Sequence, residues 1–374
     1  MPPINDNFNN RTAINGLPKT VFGSNIGGSG EAGEPSNAGV SAPLASSWWT
    51  WTAPSSGEYA LTTIGSRNSW GGFFDTTVGV YTGNAVNNLT AVASNDDFGS
   101  GDAYTLNSVV QFNATAGAAY QISVDGFSSS EGNIVLNLAR VTRGTSGANS
   151  LNGSNGSDFI LAGAGNDNIN GNGGYNVLFG EGGNDQINGG SLTDWIEGGA
   201  GDDAINGNGG GDILQGGDGN DRITGSSSDD QIYGGSGNDT IYGNGGNDYL
   251  IDYGGNNQIY GGSRNDYISS GSGNDAIYGN GGNDSIYSGS GADTIWLGSG
   301  AATVGLETGN GFDTINNFQL GQTKFEFYGD PSSLSFVDSA AGARILSGGD
   351  LVAVVSSTRA SVFQNNPGIF AYLP

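Results

Sequence analysis

The sequence predicts an all-β protein made of an N-terminal antiparallel β-sandwich, a parallel β-roll solenoid of 18 nonapeptides and a C-terminal β cap. Residues Gly144 to Gly305 repeat the pattern G-G-x-G-[ND]-D-x-U-x, where U is aliphatic, in one unbroken frame. The preceding segment has short alternating strands, and the following segment loses the repeat but keeps apolar strands. A short fixed period with one aliphatic position is typical of a solenoid whose stacked turns bury a continuous core.

Residues 1–142 form the first predicted domain. Alternating stretches such as Ser47–Thr52 and Ala119–Val124 are separated by Gly, Asn and Ser turns, which favours an antiparallel sandwich. The order of motifs resembles the bacterial pre-peptidase C-terminal domain, on Asn5-Asp-Asn-Phe8, Glu31-Ala-Gly-Glu-Pro35, Trp48-Trp-Thr-Trp51, Phe74-Asp-Thr76, Val80-Tyr-Thr-Gly83, Ser94-Asn-Asp-Asp97 and Val124-Asp-Gly126. The resemblance implies a jelly-roll-like accessory module without catalytic activity, of a kind that in some cases binds calcium.

Residues 143–305 form the predicted roll. Two well-formed copies of the repeat are Gly234–Tyr242 and Gly243–Ile251, and position 8 is aliphatic in every copy. The region resembles the repeats-in-toxin (hemolysin-type) family of secreted proteins. Two nonapeptides make one turn of such a roll, with the first six residues of each forming a loop and the last three a strand. The 18 copies therefore predict nine turns.

Position 6 of the repeat is the predicted metal ligand. Glycines at positions 1, 2 and 4 allow backbone conformations that other residues avoid, so that the loop can direct carbonyls and the position-6 carboxylate at a shared cation. Such oxygen ligands suit calcium and not zinc or copper. The predicted calcium ligands are Asp158, Asp167, Asp185, Asp194, Asp203, Asp212, Asp221, Asp230, Asp239, Asp248, Asp266, Asp275, Asp284 and Asp293. The alternative is that these side chains only cap turns, but so many stacked carboxylates would repel one another without a cation.

Alternate repeats lie on opposite edges of the roll. The edge that contains Asp239 has glycine at position 4 in every copy, so it predicts a regular file of calcium ions. The other edge is irregular, and we expect weak or empty sites near Leu192, Arg264 and Ala302. In the N-terminal domain, calcium binding and turn capping are both open for Glu31, Glu34, Asp75, Asp96, Asp97, Asp102 and Asp125.

Residues 306–374 are predicted to be a β cap that covers the end of the roll, as terminal repeats must do. Phe312–Gly321 keeps one repeat-like aspartate, Asp313, and Lys324–Tyr328 and Leu351–Val355 resemble ordinary strands. The segment resembles the one that follows the repeats in secreted family members. That resemblance implies one-step (type I) export that reads the C-terminus. The first residues, Met1–Phe8, lack the pattern of a signal peptide, so we expect export without one.

Composition excludes several functional classes. The net charge of −26 disfavours nucleic acid and anionic membranes as partners, and no apolar run reaches transmembrane length. Cysteine and histidine are absent, which excludes thiolate nucleophiles, histidine bases and Cys/His zinc sites. A Ser-His-Asp hydrolase or an HExxH protease is therefore excluded, and we do not expect an enzyme.

Outward-facing strand residues differ between the two sheets of the roll. One sheet ends in a ladder of Tyr242, Tyr260, Tyr278 and Trp296. The other has an apolar stripe, consisting of Phe159, Leu161, Val177, Phe179, Trp195, Ile213, Tyr249, Ile251 and Tyr267. Such a stripe marks a covered surface, either inside the chain or between subunits, and the ladder either stacks on itself or on sugars.

Together these features predict a secreted, calcium-binding extracellular structural protein, a subunit of a surface layer, sheath or fibre that self-associates. A secreted adhesin or carbohydrate-binding module, with a cell-surface polysaccharide as partner, is the alternative. An enzyme would need a carboxylate pair or a Ser/Lys site, and calcium already accounts for the carboxylates of the repeats.

Overall fold

The N-terminal alternation produces two sheets around one apolar core. The computed structural model describes residues 3–36, 45–70, 72, 74–97, 106–307, 311–328 and 333–373. Its first ten strands are β1 (Thr12–Ile14), β2 (Lys19–Ser24), β3 (Ser47–Thr52), β4 (Gly57–Thr62), β5 (Arg67–Asn68), β6 (Thr76–Thr82), β7 (Thr90–Asn95), β8 (Val109–Ala114), β9 (Ala119–Gly126) and β10 (Gly132–Thr145). One sheet has the order β1-β3-β9-β6-β7, and in the other β4 lies between β8 and β10, with β2 and β5 also paired to β10. Trp49 and Ile122 of the first sheet share a buried core with Leu61 and Leu136 of the second.

The nonapeptides fold into short strands that alternate between two parallel sheets. They are β11 (Ser150–Asn152), β12 (Phe159–Gly163), β13 (Asn168–Asn172), β14 (Val177–Gly182), β15 (Gln186–Gly190), β16 (Trp195–Ala200), β17 (Ala204–Asn208), β18 (Ile213–Asp218), β19 (Arg222–Thr224), β20 (Gln231–Ser236), β21 (Thr240–Gly245), β22 (Tyr249–Ile251), β23 (Gln258–Ser263), β24 (Tyr267–Ser269), β25 (Ala276–Gly281), β26 (Ser285–Tyr287), β27 (Thr294–Trp296) and β28 (Ala302–Leu306). Odd-numbered strands from β11 to β27 form one sheet and even-numbered strands from β12 to β28 the other. This is the predicted parallel β-solenoid, with about ten turns.

Position 8 fills the interior of the roll. Ile187, Ile205 and Ile223 lie in register on successive turns, and the same column continues to Ile295. Every position-8 aliphatic from Ile160 to Val304 is at most 1 % exposed, whereas Leu151 in the first copy is half-buried. Each such burial contributes about 1.5–3 kcal/mol, so this column stabilises a chain that otherwise consists largely of Gly, Asn and Asp.

Parallel pairing continues beyond Gly305. The last strands are β29 (Asp313–Asn316), β30 (Thr323–Tyr328), β31 (Leu334–Ser339), β32 (Gly342–Ser347), β33 (Asp350–Ser356) and β34 (Phe370–Leu373). Ile315 of β29 pairs in register with Ile295, and β30 pairs in parallel with β28. The segment expected to be a cap therefore begins with another turn of the solenoid, because it keeps both Asp313 and the aliphatic Ile315.

The chain ends in an antiparallel meander and a short helix. β31, β32 and β33 pair in antiparallel fashion, while α1 (Ala360–Asn365) places Phe363 against Phe318, Phe325 and Phe336. Short 3-10 helices lie at Phe8–Asn10, Val86–Asn88, Phe127–Ser129 and Pro367–Ile369. Among the helices of the described residues, none has the length and apolar character needed to cross a membrane.

The strands divide into two units. The first contains Met1–Gly144, Leu151–Leu161 and Gly171–Leu178, and the second contains Thr145–Ser150, Ala162–Asn170 and Phe179–Pro374. Within the first unit, β12 lies beside β10, and Thr20 Oγ1 lies 2.9 Å from Ser157 Oγ. The N-terminal sheet and the first strand of the even-numbered sheet are therefore continuous. The jelly-roll-like character of the N-terminal sheets stays a prediction.

Candidate calcium sites

The position-6 aspartates form a file along each edge of the roll. We call the file from Asn149 to Asp293, in the second unit, the first edge. There the backbone N–H of each position-6 residue donates to Oδ1 of its counterpart one turn later, at 2.6–2.8 Å. Asp203 N–H, for example, donates to Asp221 Oδ1. One carboxylate oxygen of each aspartate is thus fixed by the backbone, and the other is directed into the loop.

That second oxygen, Oδ2, is buried and accepts no hydrogen bond in most copies. The first-edge aspartates with this property include Asp167, Asp185, Asp203 and Asp221, and the opposite edge has Asp212, Asp248, Asp266 and Asp284. All eight are at most 3 % exposed. A buried charged oxygen without a donor costs several kcal/mol, so a native structure pairs it or coordinates a metal with it. The residues therefore fit calcium, a hard cation that takes oxygen ligands.

The files concentrate negative charge in a poorly hydrated space. Burial, with a further contribution from adjacent carboxylates, raises the pKa of Asp203 and of Asp221 to about 7. The same causes raise the pKa of Asp212 to about 9. These shifts have the sign expected for carboxylates that lose water and face like charges, and a bound cation would reverse both effects.

Glycine at position 1 keeps the space beside Oδ2 open. A Cβ on Gly198 would lie against Oδ2 of Asp203 and the carbonyl oxygen of Gly216. Glycine at position 4 is required for a different reason. Gly219 has φ +136, and a Cβ there would collide with the carbonyl of Gly201 one turn earlier. The repeat pattern thus lets a carboxylate oxygen and a backbone carbonyl oxygen approach the backbone of position 1 closely.

The second edge, from Asp158 to Asp284, is irregular, but position 2 explains the irregularity better than position 4. Where serine replaces glycine or asparagine at position 2, the aspartate is capped within its own loop. Ser226 N–H donates to Asp230 Oδ2 at 2.6 Å, and Ser154 N–H donates to Asp158 Oδ2 at 2.7 Å. In both copies the turn-capping alternative holds for Oδ2, and in the Asp230 copy it holds for Oδ1 as well, which accepts the N–H of Asp212.

The sites expected to be weak have mixed outcomes. Arg264 adopts the left-handed conformation of the glycines, with φ +87, and Asp266 Oδ2 in the same loop still accepts no hydrogen bond. Beside Leu192, Asp194 N–H still donates to Asp212 Oδ1 at 2.8 Å. Ala302 offers no carboxylate. Substitution at position 4 therefore leaves the carboxylate in place, although Arg264 keeps the left-handed backbone at some conformational cost and Leu192 does not have a positive φ.

Two further carboxylates join the first edge outside the predicted set. Asp313 is in hydrogen-bond contact with Ser288, whose hydroxyl donates to Oδ2 at 3.1 Å, and it is 5 % exposed. Asp252 occupies position 1, is fully buried, and directs Oδ2 towards Asp239. The unbroken frame placed Asp252 at a glycine position, and this departure from the pattern was the signal that could have identified it.

Three of the N-terminal candidates form a cluster. Asp75, Asp96 and Asp97 bring one carboxylate oxygen each within 4.8 Å of the others, and burial raises the pKa of Asp75 to about 6. Glu31 caps the N–H of Phe8 and Glu34 accepts from Trp48 Nε1. Asp125 is fully buried on β9, and Asp102 lies outside the described residues.

The outward aromatic ladder stacks on itself. The ring centroids of Tyr242, Tyr260, Tyr278 and Trp296 are separated successively by 4.8, 4.6 and 4.4 Å, with planes within 6° of parallel. Arg222 covers the outer face of Tyr242 at 4.7 Å. Inside the ladder, the ring faces that a sugar would need are covered by neighbouring rings.

The apolar stripe on the even-numbered sheet is mostly covered within the chain. Six of its members are buried, namely Phe159, Leu161, Val177, Trp195, Ile213 and Ile251. Phe179 is half-buried, and Tyr249 and Tyr267 are 42 % and 37 % exposed. The prediction of a covered stripe thus holds for the early turns, and the exposed remainder lies at the later turns.

Comparison with known proteins agrees with this geometry. The family described as RTX calcium-binding nonapeptide repeat (4 copies) matches residues 143–178, 161–194, 179–214, 188–223, 215–250, 251–286 and 269–304. The repeats are therefore RTX nonapeptide repeats, as predicted. No curated protein matches the chain, and the resemblance of residues 1–142 to the pre-peptidase C-terminal domain stays a prediction.

Among solved structures, the crystal structure of the Agl-KA catalytic domain is similar at 12 % identity. The likeness covers 83 % of this chain and 72 % of that chain, with a TM-score of 0.21. A similarity this weak carries no argument about function.

Proposed function

Because residues 143–304 consist of RTX calcium-binding nonapeptide repeats, we propose that this chain is a secreted extracellular structural protein, a subunit of a surface layer, sheath or fibre, whose roll folds and becomes rigid on binding calcium. RTX repeats indicate calcium-binding and typically exported proteins. The observation that carries the calcium-dependent part of the proposal is the stack of buried Oδ2 atoms without donors along both edges of the roll.

In this proposal the aspartates hold calcium between successive turns. Asp167, Asp185, Asp203, Asp221, Asp239, Asp275 and Asp293 serve the first edge, and Asp194, Asp212, Asp248, Asp266 and Asp284 serve the second. Asp158 and Asp230 contribute less, because backbone N–H groups already satisfy their Oδ2 atoms. The cation would supply the positive charge that this space lacks.

Calcium then couples folding to location. At low cytosolic calcium the carboxylates repel and the chain stays unfolded, which suits export. Outside the cell, each ion that binds only the folded state adds RT ln(1 + [L]/Kd), about 2.7 kcal/mol at a hundredfold excess over Kd. Summed over several sites, this exceeds the stability of an ordinary domain.

A structural role is favoured over the adhesin alternative by the ring ladder. An aromatic platform for sugars exposes ring faces, whereas here the ladder stacks Tyr260 between Tyr242 and Tyr278. The same stacking adds rigidity along the roll. For self-association, the exposed Tyr249 and Tyr267 at the later turns are the part of the apolar stripe left to form a contact.

Negative-stain electron microscopy and circular dichroism of the full-length protein test both parts of this proposal. In millimolar calcium we expect ordered fibres or sheets and a β spectrum, and in chelator both should disappear. Magnesium at the same concentration is the control, because its smaller octahedral shell suits these sites poorly. Identical spectra in calcium and chelator would refute calcium-coupled folding, and dispersed monomers in calcium would refute the structural role while leaving the calcium sites intact.

A further inference from the structure

One turn of the first edge lacks its carboxylate at position 6. In the repeat from Asp252 to Tyr260, position 6 is Asn257, whose Oδ1 still accepts the N–H of Asp239 at 2.8 Å. Its Nδ2 is buried and has no acceptor. A calcium-facing oxygen is thus replaced by an amide nitrogen, so the file would be interrupted in its middle.

The same repeat is the one copy with a carboxylate at position 1. All 18 copies have glycine, alanine, serine or leucine there except for Asp252. Asp252 Oδ1 accepts the N–H of Gly254 at 3.0 Å, while Oδ2 accepts no hydrogen bond and the residue is fully buried. One oxygen is held by the backbone and the other is exposed to the site, as in the position-6 aspartates.

Asp252 reaches back one turn to the space beside Asp239. A Cβ on Gly234 would lie against Oδ2 of Asp252 and 2.8 Å from Oδ2 of Asp239. In a regular turn, such as that at Gly198, the corresponding neighbours are one carboxylate oxygen and the carbonyl oxygen of the next turn. At Gly234 the two neighbours are both carboxylate oxygens, which contact each other and accept from no other donor.

We propose that Asp252 and Asp239 form a two-carboxylate calcium site that compensates for Asn257 and keeps the first-edge file continuous. The inference rests on the proposed calcium function and adds to it a ligand from a position that is glycine in a regular repeat. Two buried carboxyl groups that face each other either share a proton or hold a cation, and a calcium ion between them would remove the repulsion of the two charged forms. The hard oxygen set selects calcium or a lanthanide of similar size.

The test counts calcium ions bound per full-length chain, by equilibrium dialysis and elemental analysis, and measures the calcium midpoint of folding. Asp252→Gly should bind about one ion fewer than the natural chain, since it removes a ligand that the file needs. The double variant Asp252→Gly with Asn257→Asp restores the regular repeat and should recover the lost ion. Asp252→Asn is the isosteric variant, and Asp218→Asn, on the surface, is the matched control.

An unchanged ion count and midpoint in Asp252→Gly would overturn the proposal, as would a loss that Asn257→Asp fails to restore. If Asp252→Gly does not fold, the number of calcium ions bound by the double variant and by Asp252→Asn decides whether the proposal stands. The ion count of the natural chain distinguishes this inference from the proposed function. A natural chain that binds no calcium would refute the proposed function itself.

Discussion

Asp221→Asn should change stability in opposite directions with and without calcium. The asparagine keeps Oδ1, so Asp203 N–H can still donate to it at the present 2.8 Å. Only Oδ2 is replaced, and that atom is buried and accepts no hydrogen bond. The variant therefore separates the cost of the buried charge from the value of the metal ligand.

Without calcium we expect the variant to be the more stable protein. Burial raises the pKa of Asp221 to about 7 from a usual 3.8, roughly three units. Above pH 7 the folded carboxylate is charged, and the shift corresponds to ~4 kcal/mol against folding at about 1.4 kcal/mol per unit. Solvent screening reduces this to ~2 kcal/mol, and the unsatisfied amide of the asparagine removes ~1 kcal/mol of the gain. A net gain of ~1 kcal/mol remains.

With calcium the same variant should be less stable by up to ~2 kcal/mol, since the loss of a site worth about 2.7 kcal/mol at a hundredfold excess of ligand over Kd outweighs the ~1 kcal/mol gained without calcium. The assay is urea unfolding at pH 8 followed by circular dichroism, once in chelator and once in millimolar calcium; if the chelated roll is unfolded, a stabilising osmolyte is added equally to both proteins. Asp202→Asn is the control, because Asp202 is exposed and accepts only from Asn220. Equal destabilisation in both conditions would refute the reasoning, since it would show that Oδ2 of Asp221 has a structural role independent of calcium.

Three further predictions follow from the same geometry. Gly216→Ala should raise the calcium midpoint several-fold, because its Cβ would lie against Asp221 Oδ2 and the carbonyl of Gly234. Gly182→Ala, whose Cβ meets nothing within 4 Å, should leave the midpoint unchanged. Equal midpoints would show that calcium binding does not depend on the space beside Oδ2. On the second edge, Asp248→Asn should raise the calcium midpoint more than Asp230→Asn, because Ser226 N–H already satisfies Asp230 Oδ2. Calcium titration followed by circular dichroism compares the two variants. A larger effect of Asp230→Asn would contradict the capping of Asp230 by its own loop. In chelator, acidification should restore β structure, because the folded pKa of Asp203, Asp248 and Asp266 is raised to about 7. The stability that these groups contribute is fully present below their unfolded pKa of about 4 and is lost as pH rises through about 7. A circular dichroism titration from pH 8 to 5 that shows no gain of β structure would contradict this prediction.

The nine-residue frame predicted the solenoid because its period is set by geometry alone. Ile205 and Ile223 stack in register whatever their neighbours are, so one aliphatic position is enough to define the interior. Strand positions in the N-terminal segment also followed from alternation, as at Ser47–Thr52. The position at which the solenoid ends could not be predicted from the repeat. The spacing between Asp293 and Asp313 breaks the nine-residue frame, although the side chains that stack are still present.

Details of the sites depended on backbone conformations that the repeat formula does not specify. Position 2 has φ +71 at Asn208 and +114 at Gly217, a region that asparagine and glycine enter at low cost. Serine at position 2 turns its N–H onto the aspartate instead, which a comparison of position 4 alone could not show. The role of Asp252 likewise required the direction of a side chain that reaches into the preceding turn.

Turn capping and calcium binding, which the sequence presents as alternatives, use different oxygens of the same carboxylate. Oδ1 of Asp221 accepts the N–H of the preceding turn, and Oδ2 is left for the cation. Asparagine can accept the N–H through Oδ1, as Asn257 does from Asp239, but it has no second oxygen for the cation. A roll with asparagine throughout position 6 would therefore keep its hydrogen-bonded ladder without needing calcium. That most copies use aspartate, at an electrostatic cost to the empty fold, supports the proposal that the roll depends on calcium.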